Sequence, residues 1–412
     1  MRFYIYIIGI LIFISCQQAK EKKESLINTA HLDALYEEIQ MQSGDSVGII
    51  HIYSEAPDYH WVDDADEGIA CVDDAARAAI FYLRDYAHNQ TDASLAKARK
   101  LLAFLLKMQA DNGFFYNFIW KDGSINRDFQ TSVATPNWWS WRALWAMSEA
   151  LGHLPKQDIL RQDIENTYNK LAGVTVAYCN QNYKDSTEQR EGLTQPTWLP
   201  YGTASDQAAI QMIGLLHYYD INKQDSVKNC LQHLADGLLM MQVQNSEQFP
   251  HGAFLSWQNL WHAYGNSQAY ALLRTGQVLK DKNLINKALQ EIDFYFAAIE
   301  KRGYRCEFKV RKTGDTLEVY DEKVFPQIAY GVRPMAWACM EAYKITGQEK
   351  YKEHAKALSQ WFFGNNPAKT AMYDPSTGRC FDGIENAEKV NKNAGAESTI
   401  EALLTLQLLE SD

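Results

Sequence analysis

The chain has 412 residues and a formal net charge of −11 at pH 7. This acidity argues against binding to nucleic acid and against attraction of the protein to anionic lipid, because both require basic surface; it favours a neutral ligand. The seven cysteines lie far apart with no C-x-x-C pair, so neither a zinc ribbon nor a disulfide-dense scaffold is indicated.

The N-terminus has the pattern of an export signal. One positive charge is followed by an apolar run over residues 3–14, which is short for a bilayer span, and then by Ser15 and Cys16. A small residue before cysteine resembles the lipobox of bacterial lipoproteins, which implies that Cys16 is lipidated. We therefore predict a signal peptide over 1–16, a polar tether over 17–27, and a cell-envelope protein that meets the membrane only through its lipid. A plain signal peptide and an uncleaved anchor are the alternatives.

Apolar residues recur at helical spacing through the rest of the chain, and no linker divides it. The pattern predicts one domain over residues 28–412. The expected helices are 28–43, 73–88, 92–109, 136–152, 156–179, 203–220, 224–244, 256–273, 281–301, 330–346, 348–363 and 394–409. Alternating polar and apolar residues around Gly314 and Asp315 predict an inserted β-hairpin near 303–322.

The connections between these helices alternate between short and long. Such alternation favours helical hairpins arranged in a ring with the long loops on one face. Twelve helices in six hairpins predict an all-α fold, the (α/α)6 toroid. A tetratricopeptide superhelix is the alternative, but its fixed 34-residue repeat is absent from the sequence.

The long loops are rich in aromatic and amide side chains. Aromatic rings cover the apolar face of a sugar, while amides and carboxylates bind its hydroxyl groups. For any single tryptophan, packing in the core is the competing interpretation. The residues that we expect to bind a neutral glycan are Arg77, Tyr116, Trp138, Trp139, Tyr201, Trp257, Trp261, His262, Arg333, Asp382, Asn391 and Asn393.

Two regions carry candidate catalytic carboxylates. Asp73 and Asp74 stand at the start of a predicted helix, one turn before Arg77. Glu397 follows an asparagine- and glycine-rich stretch at the start of the last predicted helix. Acidic residues at helix starts are also stabilised by the helix dipole, so a purely structural role is the alternative for all three acids.

Several motifs together resemble those of bacterial glycosidase-like (α/α)6 toroid domains, some of which are joined to glycosyltransferases. The motifs are Val72 to Ala78, Phe363 to Asn366, Tyr373 to Gly378, Asp382-Gly383 and Asn391 to Thr399. More distantly, an early aspartate pair and a late glutamate resemble the family 9 cellulases, although the Asp-Ala-Gly-Asp motif is absent. This resemblance implies an aspartate base, Asp73 or Asp74, and Glu397 as the acid.

These residue types suit an inverting glycoside hydrolase, in which an acid protonates the leaving oxygen and a carboxylate activates water. Neighbouring helical residues point about 100° apart, so only one of Asp73 and Asp74 can face the ring centre. Arg77 lies four residues from Asp73, which favours an ion pair there and leaves Asp74 as the base. Because Arg77 also lies three residues from Asp74, both assignments stay open.

Two other functions remain. A toroid polysaccharide lyase would take its base from Tyr201, His251, His262 or Tyr264, but it would need a basic cleft for uronates, and the motifs are acidic. A non-catalytic glycan-binding lipoprotein is the second. No cofactor or metal is expected, since His-Glu-x-x-His and EF-hand spacings are absent from the sequence. We expect a monomer.

Overall fold

The computed structural model describes residues 25–245 and 248–410, so Cys16, the signal peptide and most of the tether lie outside the described residues. The helices are α1 (Ala30–Leu35), α2 (Val72–Asn89), α3 (Asp92–Lys107), α4 (Trp138–His153), α5 (Arg161–Asn182), α6 (Ser205–Asn222), α7 (Asp225–Met240), α8 (Gln268–Leu279), α9 (Lys282–Gln290), α10 (Ala297–Lys301), α11 (Arg333–Thr346), α12 (Glu349–Ser359) and α13 (Ala396–Glu410). A π-helical segment, Glu291–Phe296, joins α9 to α10, and short 3-10 turns span Ala329–Gly331 and Gln360–Phe362.

Short strands occupy the connections. They are β1 (Tyr36–Gln40), β2 (Ser46–Ile50), β3 (Tyr53–Glu55), β4 (His60–Val62), β5 (Ala70–Cys71), β6 (Phe118–Ile119), β7 (Thr187–Arg190), β8 (Leu193–Pro196), β9 (Leu260–His262), β10 (Glu307–Thr313), β11 (Thr316–Lys323), β12 (Tyr373–Asp374), β13 (Arg379–Cys380), β14 (Gly383–Asn386) and β15 (Lys389–Asn391). All pair antiparallel, in two-stranded sheets except for the sheet β11-β10-β9.

Six helices form a closed inner ring. Helices α2, α4, α6, α8, α11 and α13 each pack against the next, and α13 packs against α2. Five of them are followed by an outer helix that returns alongside: α3, α5, α7, α9 and α12. The sixth inner helix, α13, packs against α1 from the other end of the chain. This closed ring of helical hairpins is the expected (α/α)6 toroid.

Burial explains which helices are inner. Residues Val72 and Asp74 to Leu83 of α2 are all buried, and Ala75, Ala76, Ala78 and Ala79 let neighbouring helices approach closely. By contrast, α3 buries one stripe, including Leu95, Leu102 and Leu105, and leaves its other face to solvent. A helix without an exposed stripe must be surrounded by protein, as the inner helices are.

The ring has two distinct ends. At the front end, all six inner helices begin, and the long connections lie there. At the rear end the inner helices finish, and short turns lead to the outer helices. Side chains from five inner helices line a cavity of about 430 Å³ toward the rear. These side chains include Arg84, Glu149, Arg274, Glu341 and Gln407.

Two predicted helices are wrong in extent. The expected helix over 28–43 ends at Leu35, and Tyr36–Gln40 instead pairs as β1 with β2. The helix expected over 256–273 begins only at Gln268, and Leu260–His262 forms β9. Both segments have strand partners elsewhere in the chain, which local apolar spacing does not report.

The inserted hairpin is confirmed. Strands β10 and β11 pair through a turn at Gly314 and Asp315, and β9 adds a third strand on the other side of β10. Gly314 has a φ of +60°, a conformation that glycine adopts readily. The hairpin therefore extends a sheet that fixes the connection between α7 and α8.

Candidate active site

One guanidinium gathers four carboxyl groups at the front end of the ring. Arg77 Nη2 lies 2.6 Å from Asp74 Oδ1 and 3.3 Å from Asp73 Oδ2. Its Nη1 lies 3.2 Å from Glu397 Oε2 and 3.0 Å from Glu401 Oε1. The two ends of the chain that carry the predicted acids therefore meet in one place.

The start of α2 shows why its acids are available. Cys71 accepts the Asp74 backbone N–H at 3.3 Å, and Asn117 Oδ1 accepts that of Asp73 at 3.3 Å. These neighbours cap the free N–H groups of the helix, so the Asp73 and Asp74 side chains are not needed for that purpose. Both carboxylates turn instead toward Arg77.

Asp73 and Asp74 differ in environment. Asp74 is buried, with 3% of its surface exposed, and accepts a hydrogen bond from the Cys71 thiol at 3.2 Å. Burial raises the pKa of Asp74, while Arg77 opposes the shift. The Asp73 side chain is 25% exposed and also contacts Arg142 Nε at 3.1 Å. The expectation that Arg77 leaves Asp74 free is wrong, because Arg77 lies closer to Asp74 than to Asp73 and Asp74 is buried. Asp73 is the accessible member of the pair.

Glu397 occupies the first turn of α13 on a tightly held loop. Asp382 Oδ1 accepts hydrogen bonds from the Gly395 N–H and the Ser398 hydroxyl, each at 2.7 Å, on either side of the glutamate. A Cβ atom at Gly395 would lie 2.7 Å from the Ile52 carbonyl oxygen, so this close approach requires glycine. The loop therefore fixes the position from which Glu397 reaches Arg77.

The pKa of Glu397 is raised toward neutral pH. Its side chain is partly buried at the front end of the ring, with 41% of its surface accessible. This partial desolvation raises the pKa of Glu397 to about 7, against the opposing effect of Arg77 and with the support of Asp74 and Glu401. An accessible carboxyl group that carries a proton near neutral pH can act as a general acid.

Beneath these groups lies a buried layer that sequence reasoning missed. Glu401 is fully buried and binds Arg77 and the Nε of Arg333. The guanidinium carbons of Arg77, Arg142 and Arg333 lie 5.2, 5.0 and 5.7 Å from the centre of the Tyr330 ring. This layer holds Arg77 in place. The sequence does indicate this layer, because Glu401 follows Glu397 by one helical turn and Arg142 is a single charged residue in an apolar run.

The predicted aromatic residues separate into two groups. Tyr201 is 60% exposed and Trp257 41% exposed, on the connections that precede α6 and α8 at the front end. Trp138 is partly buried in the first turn of α4, with the Arg142 guanidinium 5.7 Å from its ring centre. These three rings remain predicted sugar-binding residues.

Trp139 and Trp261 are packing residues. Trp139 is 4% exposed and donates its indole N–H to the Phe115 carbonyl at 2.6 Å. Trp261 is 3% exposed and stacks on Phe308, with ring centres 5.1 Å apart. The expectation that they bind substrate is wrong, because neither ring presents a face to solvent.

Polar candidates also have structural partners. Arg333 is 1% exposed and paired with Glu401, so it supports the floor and does not reach substrate. Asn391 and Asn393 brace the loop before α13: Asn391 accepts the Asn393 N–H, and Asn393 accepts the Ala56 N–H, each at 3.1 Å. Tyr116 packs its ring against the Arg127 guanidinium, 4.6 Å away.

His262 forms a second polar group at the front end. Its Nε2 lies 3.0 Å from Asp206 Oδ2, at the start of α6. Its Nδ1 accepts the Tyr264 backbone N–H at 3.2 Å. Both ring nitrogens are therefore engaged, with the proton on Nε2.

Solved structures of sugar-active enzymes share this ring. A cellobiose 2-epimerase from Bacillus thermoamylovorans B4167 matches with a TM-score of 0.62 and 12% identity, over 94% of this chain and 96% of that one. A family 76 glycoside hydrolase from a bovine Bacteroides thetaiotaomicron strain matches with a TM-score of 0.57 and 12% identity, over 95% of this chain and 79% of that one. A D-mannose isomerase matches with a TM-score of 0.56 and 13% identity, over 88% of this chain and 91% of that one.

Sequence comparison adds no closer relative. No protein-family model matches the chain, and no curated protein matches it significantly. At identities of 12–13% the structural likeness shows the fold, and it confirms the resemblance to glycosidase-like toroids at that level. The chain has the (α/α)6 toroid fold shared by these epimerase, isomerase and glycoside hydrolase structures.

Proposed function

We propose that the protein is an exported glycoside hydrolase that acts on a neutral poly- or oligosaccharide. One observation carries the proposal: two accessible carboxyl groups of unlike environment, Asp73 and Glu397, contact the same guanidinium at the front end of the ring. In this proposal Glu397 is the acid and Asp73 the base.

The arrangement suits an inverting reaction. Glu397, protonated near neutral pH, gives its proton to the leaving glycosidic oxygen. Asp73, as a carboxylate, takes a proton from the water that attacks the anomeric carbon from the opposite face. Because both contact one guanidinium, their carboxyl groups lie no farther apart than the roughly 9.5 Å upper limit for inverting pairs. Arg77 positions both groups.

The exposed aromatic residues at the front end suit a neutral glycan. Tyr201 and Trp257 offer exposed aromatic surface at the same end of the ring as the acids. Aromatic rings bind the C–H face of a sugar without requiring charge on it. The three arginines of the floor already face four carboxyl groups, which leaves no excess positive charge for a uronate.

A lyase is the principal alternative, and the structure makes it less suitable. Both ring nitrogens of His262 are engaged, by Asp206 and by the Tyr264 backbone. His251 Nδ1 accepts the Asn245 N–H at 3.1 Å, and its Nε2 lies 2.7 Å from Gln290. Burial raises the pKa of Tyr264, which keeps its hydroxyl protonated. Of the four base candidates, only Tyr201 stands exposed.

Export is part of the proposal. The sequence pattern before Cys16 supports cleavage and lipidation there, and we propose a lipoprotein of the bacterial cell envelope. In the part of the chain that the structure covers, no helix has both the length and the apolar character to cross a bilayer.

The test is hydrolysis of a panel of neutral polysaccharides, read as release of reducing ends. The panel compares the protein with Asp73→Asn and Glu397→Gln, and with Asp315→Asn, an exposed carboxylate of the hairpin turn, as the matched control. We expect the first two variants to lose about 10²–10⁴-fold in kcat and the control to keep full activity. Binding without release would leave a glycan-binding protein, and release of unsaturated uronides would indicate a lyase.

A further inference from the structure

The chain enters the ring at its rear end. The hydroxyl of Ser25 and the backbone N–H of Leu26 donate to the two carboxyl oxygens of Glu410, each at 2.7 Å. Glu410 is the last residue of α13, whereas Glu397 lies in its first turn. At about 1.5 Å per residue the two are roughly 20 Å apart along the helix. The tether is therefore fixed at the end of the ring opposite the candidate active site.

The short tether limits how the ring can stand on a membrane. Cys16 precedes Ser25 by nine residues, which span roughly 30 Å when fully extended. To bring the front end to the membrane, this segment would have to run nearly straight along the whole side of the ring. A lipid on Cys16 brings the rear end to the bilayer with no such demand.

The exposed aliphatic side chains lie at the rear end. Among the described residues, the exposed large aliphatic side chains are Leu26, Ile159 and Ile221, with 36%, 85% and 57% of their surface exposed. Leu26 lies beside Glu410, Ile159 lies on the rear turn that follows α4, and Ile221 lies in the last turn of α6.

Ile159 is held in its exposed position. The neighbouring Asp158 is buried, accepts the Leu160 N–H at 3.0 Å and binds Arg99 at 2.8 Å. The turn is therefore fixed from within, and Ile159 projects from it. A fixed aliphatic side chain at the same end of the ring as a membrane tether is suited to insertion among lipid headgroups.

We propose that the rear end of the ring, through Ile159 and Ile221, rests on the phospholipid surface to which Cys16 is anchored. The candidate active site then opens away from the membrane, toward polysaccharide outside it. This inference rests on the proposed lipidation of Cys16 and does not depend on the reaction that the site catalyses.

Depth-dependent fluorescence quenching tests this orientation. The full-length lipidated protein is reconstituted into vesicles of phosphatidylethanolamine and phosphatidylglycerol that contain spin-labelled lipid. A fluorophore is attached at Ile159→Cys, at Ile221→Cys, or at Asp315→Cys on the front hairpin. The described cysteines are all buried, so the label reaches the introduced position. We expect several-fold stronger quenching at the two rear positions; equal or stronger quenching at 315 would overturn the proposal.

A second comparison separates docking from tethering alone. The fluorophore is attached at Lys156→Cys, and the protein is compared with a variant that also carries Ile159→Glu and Ile221→Glu. This variant keeps its lipid, so it should stay bound to the vesicles, but its fluorescence should no longer be quenched. Quenching that persists in the double variant overturns the contact surface. Mass spectrometry of the mature N-terminus reports the lipid, and a Cys16 without lipid overturns the inference while the hydrolysis assay remains unaffected.

Discussion

The Arg77 guanidinium lies 3.2 Å from the Glu397 carboxylate, joining two residues that are 320 positions apart in the chain. The contact exists because α13 closes the ring against α2. It links the accessible acid of the last inner helix to the aspartate pair of the first.

Removal of the Arg77 charge should destabilise the protein as well as inactivate it. Arg77→Met leaves the buried Asp74 without its cation and leaves Glu401 with Arg333 alone, and breaking a buried pair in this way costs about 3–5 kcal/mol. Urea unfolding measures the change. Arg311→Met is the control, since its pair with Glu318 is exposed and should contribute little. Equal stability of the two variants would contradict the role of Arg77.

Activity should fall as pH rises through about 7. Glu397 donates a proton, so only its protonated form is active, and kcat/KM is lost above its pKa of about 7. The measurement is a pH profile for the natural glycan and for an aryl glycoside of the same sugar with a good leaving group. Glu397→Gln should keep activity on the aryl glycoside and lose the alkaline decline. A decline that survives in Glu397→Gln would exclude Glu397 as the acid.

The product should have the inverted anomeric configuration. Asp73 and Glu397 contact different terminal nitrogens of Arg77, so their carboxyl groups lie within the roughly 9.5 Å upper limit for an inverting pair. Proton NMR during the first turnovers identifies the anomer before mutarotation. A retained configuration would assign Asp73 as a nucleophile instead of a base.

The two groups of tryptophans should respond differently to truncation. Trp257→Ala removes an exposed ring, so we expect a raised KM and little change in the free energy of unfolding. Trp139→Ala opens a cavity in the core and should cost about 3–5 kcal/mol of stability. Michaelis kinetics and urea unfolding on both variants make the comparison. A raised KM with unchanged stability in Trp139→Ala would reverse the assignment.

Glu291 should make stability depend on pH. It is buried in the π-helical segment, accepts the Phe254 N–H at 3.0 Å, and burial raises its pKa to about 8. Its pKa in the unfolded chain is about 4.3. Between these values the folded state holds a proton that the unfolded state has lost, so stability is highest below about pH 4.3 and falls until about pH 8. Glu291→Gln should remove this component of the pH dependence of unfolding; an unchanged slope would contradict it.

Much of the fold could be predicted from the sequence because helix formation and helix pairing are largely local. Apolar spacing located most of the inner and outer helices, and alternating short and long connections indicated the ring. The errors at Tyr36–Gln40 and Leu260–His262 occurred where a strand depends on a partner outside the segment. Local periodicity has no access to that partner.

For the candidate site, the sequence by itself determined which residues carry acidic, cationic and aromatic side chains, and that Asp73, Asp74 and Arg77 share one helix start. Only the tertiary structure decided which of them are accessible. In the folded protein Asp74, Trp139 and Trp261 are buried, whereas Asp73 and Glu397 remain accessible. Glu401 lies buried beneath these two acids. The physical reason is that exposure and protonation depend on neighbours from other helices, which come together only when α13 meets α2 and the ring closes.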